Sequence, residues 1–314
     1  MANIFNNANS GYHIGIMCLI YRVLWRSTSP MTANQVEELC RPENLKRKPD
    51  HKKKFKQTLT FWSDESHCLW EENDDSMLVL LHKNFRTEPT PFEIAEVARV
   101  ALFKKIIPDI AVKTRDAFHG TEPLFLLLSC LLASGRHLPF SGDPLETGKY
   151  SQITELISTY LDASKHDLNG SEHGQVLPWF VFLGFVELNN NEIVVDPTRA
   201  VRDVIKHIFK STDTLNIREF LIKLNKLLPV FDGGSYQKQT TEIMLAANNG
   251  WNFDYKNNIS NALSVALYRL HVLKEIKLPP PKSDDPNAIQ ITHPFTKETK
   301  RISQIIYLGG HENA

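Results

Sequence analysis

The chain has 314 residues, of which 42% are hydrophobic and 23% charged, and its 36 basic and 36 acidic side chains leave no net charge. This composition is typical of a globular protein with two or three compact units, and it excludes a disordered chain. Because the net charge is zero, any affinity for nucleic acid must come from local clusters of cations. The four cysteines are scattered without a Cys-x-x-Cys pair, which argues against a zinc site or a disulfide framework.

No stretch of the sequence is apolar for long enough to cross a bilayer. The longest apolar run, residues 124–132, is interrupted by Ser129, whereas a membrane-spanning helix needs about 20 residues. The first residues lack the basic and apolar regions of a secretory signal. We therefore expect a cytoplasmic protein that has no membrane partner.

Residues 10–85 predict three helices followed by a β-hairpin. An apolar stripe over residues 12–26 indicates the first helix, and Thr32 is a suitable N-cap for a second helix that ends at Cys40. The third helix is predicted over residues 51–62, because apolar side chains recur there at helical spacing. This order of elements is typical of a winged helix-turn-helix, in which a helix lies in the major groove of DNA.

The hairpin, which would be the wing of such a module, is predicted from two apolar runs around a polar turn. The runs are residues 68–70 and 77–81, and the turn is residues 73–76. Six carboxylates lie on and before the wing, namely Asp64, Glu65, Glu71, Glu72, Asp74 and Asp75. Because phosphates would repel them, the third helix and the loop before it must supply any contact with DNA.

The third helix and its leading loop carry a dense cluster of positive charge. Between Lys46 and Lys56 there are seven Lys or Arg side chains and one carboxylate, Asp50, while Pro49 keeps the first three cations in the loop. The residues predicted to contact phosphates are Lys46, Arg47, Lys48, Lys52, Lys53 and Lys56, and those predicted to lie near base edges are Gln57 and Thr60. The alternative interpretation of the same residues is a solvated surface or a protein contact.

The middle of the chain, residues 90–210, predicts a helical domain with a winged-helix-like end. Thr90, Pro91 and Glu93 form a strong start signal for a helix over residues 91–106. Further helices are predicted at residues 121–133, 151–162 and 174–185, followed by strands at 186–188 and 193–195 and a helix capped by Thr198.

A C-terminal winged-helix-like domain is predicted over residues 214–308. Its helices are predicted at residues 217–228, 235–247 and 259–273, and its wing-like strand pair at residues 276–278 and 289–291. Three times along the chain, a helix therefore runs into a short strand, a polar turn and a second short strand. We predict a mostly α fold with small β-hairpins (α+β), built from tandem winged-helix-like modules joined by helices.

No motif in the sequence carries catalytic or cofactor chemistry. The segment from Gly142 to Tyr150 has the wrong glycine spacing for a phosphate loop and lacks its Ser or Thr. His166 and His173 lie in a polar segment without a motif for a third metal ligand. We therefore expect a protein that is not an enzyme and that binds no cofactor or metal.

Two segments of the C-terminal third resemble a known family. They are residues 220–234, FLIKLNKLLPVFDGG, and residues 260–270, SNALSVALYRL. Both resemble the bacterial DpdG family, an accessory component of the gene cluster that installs and polices 7-deazaguanine derivatives in DNA. The resemblance implies a setting of DNA modification, restriction or antiviral defence with helicase and nuclease partners, and it supplies no binding residues.

Three functions are compatible with the sequence. The first is a non-enzymatic winged-helix accessory protein of such a bacterial system, which binds double-stranded DNA through residues 51–62 and their leading loop. The second is an adaptor whose winged-helix modules dock the partner proteins of a multi-subunit complex, and a transcriptional regulator is a further alternative. The basic cluster favours DNA, whereas the zero net charge and the acidic wing favour a protein partner.

Overall fold

The computed structural model describes residues 13–41, 49–65, 68–82, 85–104, 122–134, 170–189, 192–246, 256–282 and 285–309, together with Ile4, Gly11 and Asp254. This part of the chain is mostly helical with small antiparallel sheets, which confirms the predicted mostly α fold (α+β), while its tandem winged-helix-like modules stay a prediction. Its internal contacts divide it into two units, Met1–Leu124 and Phe125–Ala314. The division into domains 10–85, 90–210 and 214–308 stays a prediction, and the helix predicted over residues 151–162 lies outside the described residues.

Unit 1 contains four described helices and one small sheet. Its elements are α1 (Ile14–Arg26), β1 (Met31–Thr32), α2 (Ala33–Cys40), α3 (Pro49–Phe61), β2 (Trp70–Glu72), β3 (Met77–Leu80) and α4 (Pro91–Lys104). The strands are antiparallel in the order β1-β3-β2, with Met31 opposite Leu78 and Trp70 opposite Leu80. The predicted hairpin is confirmed, whereas β1 is too short to have been recognised in the sequence.

Two helices of unit 1 begin at the predicted capping residues. The Thr32 hydroxyl oxygen accepts a hydrogen bond from the Gln35 backbone N–H at 3.3 Å, and the Gln35 side chain accepts one from Thr32 N–H at 2.8 Å. Thr90 and Glu93 repeat this reciprocal pair at 3.3 Å and 2.8 Å. Both capping boxes satisfy N–H groups that the first helical turn leaves without a partner.

The core of unit 1 forms around α1. This helix buries Met17, Ile20, Tyr21 and Leu24 at helical spacing. Its Tyr21 hydroxyl donates to the carbonyl oxygen of His82 at 2.5 Å, so α1 also holds the segment that follows β3.

Unit 2 contains the remaining elements, although the first turn of α5 is assigned to unit 1. They are α5 (Glu122–Ser134), α6 (Gly170–Phe182), β4 (Val186–Asn189), β5 (Glu192–Val195), α7 (Thr198–Ile208), β6 (Thr214–Asn216), α8 (Ile217–Leu227), α9 (Ser235–Ala246), α10 (Asn261–Val272), β7 (Ile276–Lys277), β8 (Ile289–Thr292), β9 (Thr299–Ile302) and β10 (Gln304–Tyr307). The described strands form a β4–β5 hairpin, a β8–β9 hairpin and a sheet in the order β6-β10-β7.

The strand pair predicted at residues 276–278 and 289–291 is wrong. Strand β7 pairs with β10, where Ile276 lies opposite Tyr307, and β8 pairs with β9, where Ile289 lies opposite Ile302. Each of the two predicted strands therefore has a later partner. A short apolar run offers the same backbone donors and acceptors to any neighbour, so proximity in sequence did not determine the pairing.

The predicted N-cap of α7 is also wrong. Thr198 lies inside the helix, Pro197 precedes it, and no side chain caps the helix from the Pro197 position. Instead, the buried carboxylate of Asp196 accepts hydrogen bonds from the Thr198 backbone N–H, at 2.9 Å, and from the Thr198 hydroxyl. The prediction failed because a carboxylate is the stronger acceptor for an N–H at the start of a helix.

The two units repeat one connectivity. In unit 1, α1-β1-α2-α3-β2-β3 gives the sheet β1-β3-β2; in unit 2, α7-β6-α8-α10-β7-β10 gives the sheet β6-β10-β7. In both, the last residue of the first strand caps the next helix, since Asn216 accepts from Glu219 N–H at 2.8 Å as Thr32 does from Gln35. Among the described elements, unit 2 differs by having α5, α6 and the β4–β5 hairpin before α7, α9 before α10 and the β8–β9 hairpin before β10, whereas α4 follows the sheet of unit 1.

Candidate nucleic-acid interface

Helix α3 presents five of the eight predicted site residues on one face. It has 13 residues and begins at Pro49, whose fixed φ and missing N–H suit a first helical position. Five of the predicted residues lie on it: Lys52, Lys53, Lys56 and Thr60 are exposed, and Gln57 is half-buried. At 100° per residue these five positions span an arc of about 140°. The remaining three, Lys46, Arg47 and Lys48, lie outside the described residues.

The opposite face of α3 is buried in unit 1. Phe55, Thr58 and Phe61 are each at most 2% exposed. Thr58 was not predicted to be in the core, but its hydroxyl donates to the Lys54 carbonyl oxygen at 2.8 Å and is therefore satisfied there. Trp62, predicted on the buried face, follows the helix and is fully buried.

Two indole rings fix the C-terminal end of α3. The Nε1 of Trp62 donates to the Gly11 carbonyl oxygen at 3.3 Å, and the Nε1 of Trp70 on β2 donates to the Leu59 carbonyl oxygen at 3.1 Å. A Cβ atom at Gly11 would lie 2.1 Å from the Phe61 ring, so only glycine fits against this end of the helix. The orientation of the basic face is thus set by buried aromatic contacts.

The cations of this face are available to an outside partner. Within the described part of unit 1, no carboxylate pairs with Lys52, Lys53 or Lys56. Lys54, which was not among the predicted contacts, approaches His13 on the preceding segment. Burial, reinforced by the Lys54 charge, lowers the pKa of His13 to about 4, so this imidazole is neutral at neutral pH.

The β2–β3 hairpin carries charge of the opposite sign. Its exposed carboxylates are Glu71, Glu72, Asp74 and Asp75, and Asp64 and Glu65 before it are exposed as well. The Asn73 side-chain oxygen accepts from the N–H groups of Asp75, at 3.1 Å, and Met77, at 2.9 Å, which fixes the turn. The predicted separation of a basic helix and an acidic hairpin is therefore present in the charges of the exposed side chains.

Unit 2 holds a cavity that the sequence did not predict. Its volume is ≈ 870 Å³, and its lining includes Glu187, Leu188, Asp196, Arg269, Val272, Leu273 and Phe295. The Nη1 of Arg269 lies 3.1 Å from Glu187 and also pairs with Asp196. The lining comes from three separate segments, so periodicity gave no signal. The one local sign is Phe295, an aromatic residue in an otherwise polar turn.

Within the described residues, no helix is long and apolar enough to cross a membrane. In the same ranges, no group of three or more His, Cys, Asp or Glu side chains has an arrangement that could hold a metal ion.

The fold and the surface define a mostly helical α+β protein. One of its helices, α3, packs one face into the core of unit 1 and exposes a basic face on the other side. A sequence model described as DpdG-like matches residues 2–285. The chain therefore belongs to the DpdG-like family, which confirms the resemblance seen in residues 220–234 and 260–270 and points to the DNA-modification system with which DpdG is associated. No curated protein and no solved structure matches the chain.

Proposed function

We propose that this protein binds double-stranded DNA through the exposed face of α3, as a non-enzymatic accessory component of a bacterial DNA-modification and antiviral-defence system. The observation that carries the proposal is the set of three exposed lysines without a described acidic partner, Lys52, Lys53 and Lys56, on one side of a rigidly held helix. The family of the chain supports the DNA-modification setting.

The connectivity of unit 1 supports a winged-helix interpretation of this surface. In a winged helix, three helices and a small sheet leave the third helix free to enter the major groove, and the order α1-β1-α2-α3-β2-β3 with sheet β1-β3-β2 fits that plan. Lysines would then lie on phosphates, while Gln57 and Thr60 would lie towards base edges. The β2–β3 hairpin must turn away from the duplex, because its carboxylates would be repelled by phosphates.

The proposal is tested by measuring binding to a fluorescently labelled duplex at two salt concentrations. Removing one lysine–phosphate pair should lower the slope of log affinity against log salt by about 0.9, so Lys52/Lys53/Lys56→Glu should lower it by about 2.7 and weaken binding strongly. The matched control is Lys210/Lys226/Lys238→Glu, the same change of charge at exposed positions of unit 2. We expect the control to keep most of the affinity.

Two results would contradict DNA binding by α3. One is a wild-type chain that does not bind duplex even at low salt. The other is an equal loss of affinity in both triple variants, which would show a response to total charge alone.

A second candidate function is an adaptor that docks partner proteins. The exposed carboxylates of the β2–β3 hairpin favour it, since they suit a basic protein surface better than a phosphate backbone. A wild-type chain without affinity for DNA is the result that would favour this function over the first.

A further inference from the structure

Helix α10 of unit 2 occupies the same place in the chain order as α3, yet most of its surface is covered. Eight of its residues are buried, from Ala262 to Leu270. The β8–β9 hairpin contacts it: Thr292 N–H donates to the Ser264 hydroxyl oxygen at 3.4 Å, and Gln290 accepts from Ile259 N–H at 2.9 Å just before the helix. Unit 2 therefore cannot present α10 as unit 1 presents α3, and its exposed surface has a different character.

The turn of the β8–β9 hairpin carries an exposed aromatic side chain on a hydrogen-bonded backbone. Phe295 is 87% exposed. The Nδ1 of His293 accepts from the N–H groups of Phe295, at 3.3 Å, and Thr296, at 3.1 Å, and His293 N–H donates to the Glu298 carbonyl oxygen at 2.7 Å. A large apolar side chain on a hydrogen-bonded turn is typical of an interface anchor, because the backbone that carries it is already ordered before the side chain is buried.

Further exposed apolar side chains surround the cavity beside this turn. Val272 is 75% exposed, Leu273 52% and Leu188 46%, and all of them line the cavity with Phe295. Such a cluster is an unusual feature on a free surface, because the burial of each of these apolar side chains away from water lowers the free energy. The cavity is also large enough to receive a phenyl ring.

The charges of the cavity and of the turn are complementary. Three charged side chains line the cavity, the carboxylates of Glu187 and Asp196 and the guanidinium of Arg269, so its lining carries one net negative charge. Glu187 is exposed, and one of its carboxylate oxygens lies 3.1 Å from the Nη1 of Arg269. The turn supplies the opposite sign two residues after Phe295, where the exposed Lys297 ammonium donates one hydrogen bond to the Pro294 carbonyl oxygen at 2.8 Å and keeps two donors for a carboxylate. The carboxylate of the next residue, Glu298, accepts a hydrogen bond from the Thr296 hydroxyl at 3.2 Å.

We propose that this surface pairs with the same surface of a second copy of the chain. The Phe295 ring of each copy enters the cavity of the other, and Lys297 of each copy lies beside Glu187 of the other. One surface provides both the anchor and its receptor, and both signs of charge, which is what a twofold interface requires of a single patch. The pairing is independent of DNA binding by α3.

The oligomeric state of the full chain tests this pairing by light scattering over a range of concentrations. The wild type should have twice the chain mass of 35.9 kDa, and Phe295→Asp should have the mass of one chain. Phe295→Ala should weaken the dimer without adding a charge, which covers the case that the aspartate variant folds poorly. The control is Ile222→Asp at another exposed apolar position of unit 2, which should remain dimeric.

A charge exchange identifies the occupant of the cavity. Glu187→Lys and Lys297→Glu should each raise the dimer dissociation constant at low salt, and the two together should restore it, because the cross-pair is re-formed with its signs reversed. A wild-type chain that is monomeric at every concentration would overturn the proposal. So would a dimer that persists in Phe295→Asp, or a double variant no tighter than either single one.

Discussion

The indole Nε1 of Trp70 donates a hydrogen bond to the carbonyl oxygen of Leu59 at 3.1 Å. This bond joins the second strand of unit 1 to the last turn of α3, where the helix has no backbone donors left for its carbonyl groups. The Ser63 hydroxyl donates to the same oxygen at 2.8 Å. The position of the basic face thus depends on a fully buried side chain that lies outside the basic segment.

Replacing Trp70 should destabilise unit 1 in two steps. Trp70→Phe removes the hydrogen bond, while Ser63 still donates to Leu59, and should lower the free energy of unfolding by about 1 kcal/mol. Trp70→Ala also empties the space of the ring and should lower it by about 3–5 kcal/mol. Urea unfolding followed by far-UV circular dichroism measures both.

The control for these variants is Glu71→Gln at the neighbouring exposed position, which should change the free energy of unfolding by less than about 0.5 kcal/mol. If Trp70→Ala were as mild as Glu71→Gln, the indole would not be holding the helix.

Neutralising the β2–β3 hairpin should strengthen DNA binding if α3 is the contact. The variant changes Glu71 and Glu72 to Gln and Asp74 and Asp75 to Asn, which removes four negative charges and keeps the side-chain size. Affinity for duplex should rise a few-fold at low salt and the gain should shrink as salt increases, because the repulsion is screened. Fluorescence anisotropy titrations of labelled duplex measure this gain in affinity. The control variant is Asp213→Asn/Glu242→Gln, at exposed positions of unit 2. An unchanged affinity would place the hairpin far from the phosphates.

Elements whose determinants lie within one turn were predictable from the sequence. Thr32 with Gln35, and Thr90 with Glu93, are local side-chain and backbone pairs, and both helices begin where these residues predict. The exposed arc of α3 followed in the same way from helical periodicity. The candidate nucleic-acid site was therefore largely visible in the chain, apart from Lys54, whose neighbour His13 lies on another segment.

Features that depend on distant partners were not predictable. Strand β7 could have paired with β8, and its actual partner, β10, is known only once the sheet has formed. The burial of Thr58 depends on its bond to the Lys54 carbonyl oxygen, which a hydropathy pattern does not show. The unit 2 cavity combines side chains from β4, α10 and the β8–β9 turn, so no one segment contains its signal.

Acidification should destabilise unit 1 through His13. The folded-state pKa of this imidazole is about 4, below the ordinary 6.5, so the unfolded chain binds the proton more tightly. The contribution of the neutral imidazole to the free energy of unfolding is complete above pH 6.5 and is lost as the pH falls towards 4. The loss should be about 1–2 kcal/mol, because the site is half-exposed and partly screened by water.

Urea unfolding of wild type and His13→Gln at pH 7 and pH 4.5 measures the effect of His13. The variant should show a smaller loss on acidification, and the control His207→Gln, exposed in unit 2, should follow the wild type. Equal losses in all three proteins would contradict the role of His13.

Acidification should stabilise unit 2 through Asp232. Its carboxyl accepts a hydrogen bond from Ser260 N–H at 2.9 Å, and burial raises its pKa from 3.8 to about 6. The folded state therefore binds the proton more tightly than the unfolded chain does. The contribution of the protonated carboxyl to the free energy of unfolding is complete below pH 3.8 and is lost as the pH rises through 6. Its size is on the order of 3 kcal/mol.

The Asp232→Asn variant tests this contribution, because it keeps an acceptor for Ser260 and removes the titration. The difference in unfolding free energy between the variant and the wild type should shift in favour of the variant between pH 4 and pH 7. Asp213→Asn, exposed in the same unit, should show no such shift. A pH-independent difference for Asp232→Asn would contradict the raised pKa.

The central place of β10 in its sheet has a consequence for the order of folding during synthesis. Unit 1 can close its sheet as soon as Leu80 has left the ribosome, because β3 pairs with both β1 and β2. The sheet of unit 2 must wait for Ile306 to reach Thr214, across most of the unit. Loop closure over such a separation is slow, so β6 and β7 are edges without a partner until then. Nascent unit 2 therefore exposes open strand edges for longer than unit 1 does.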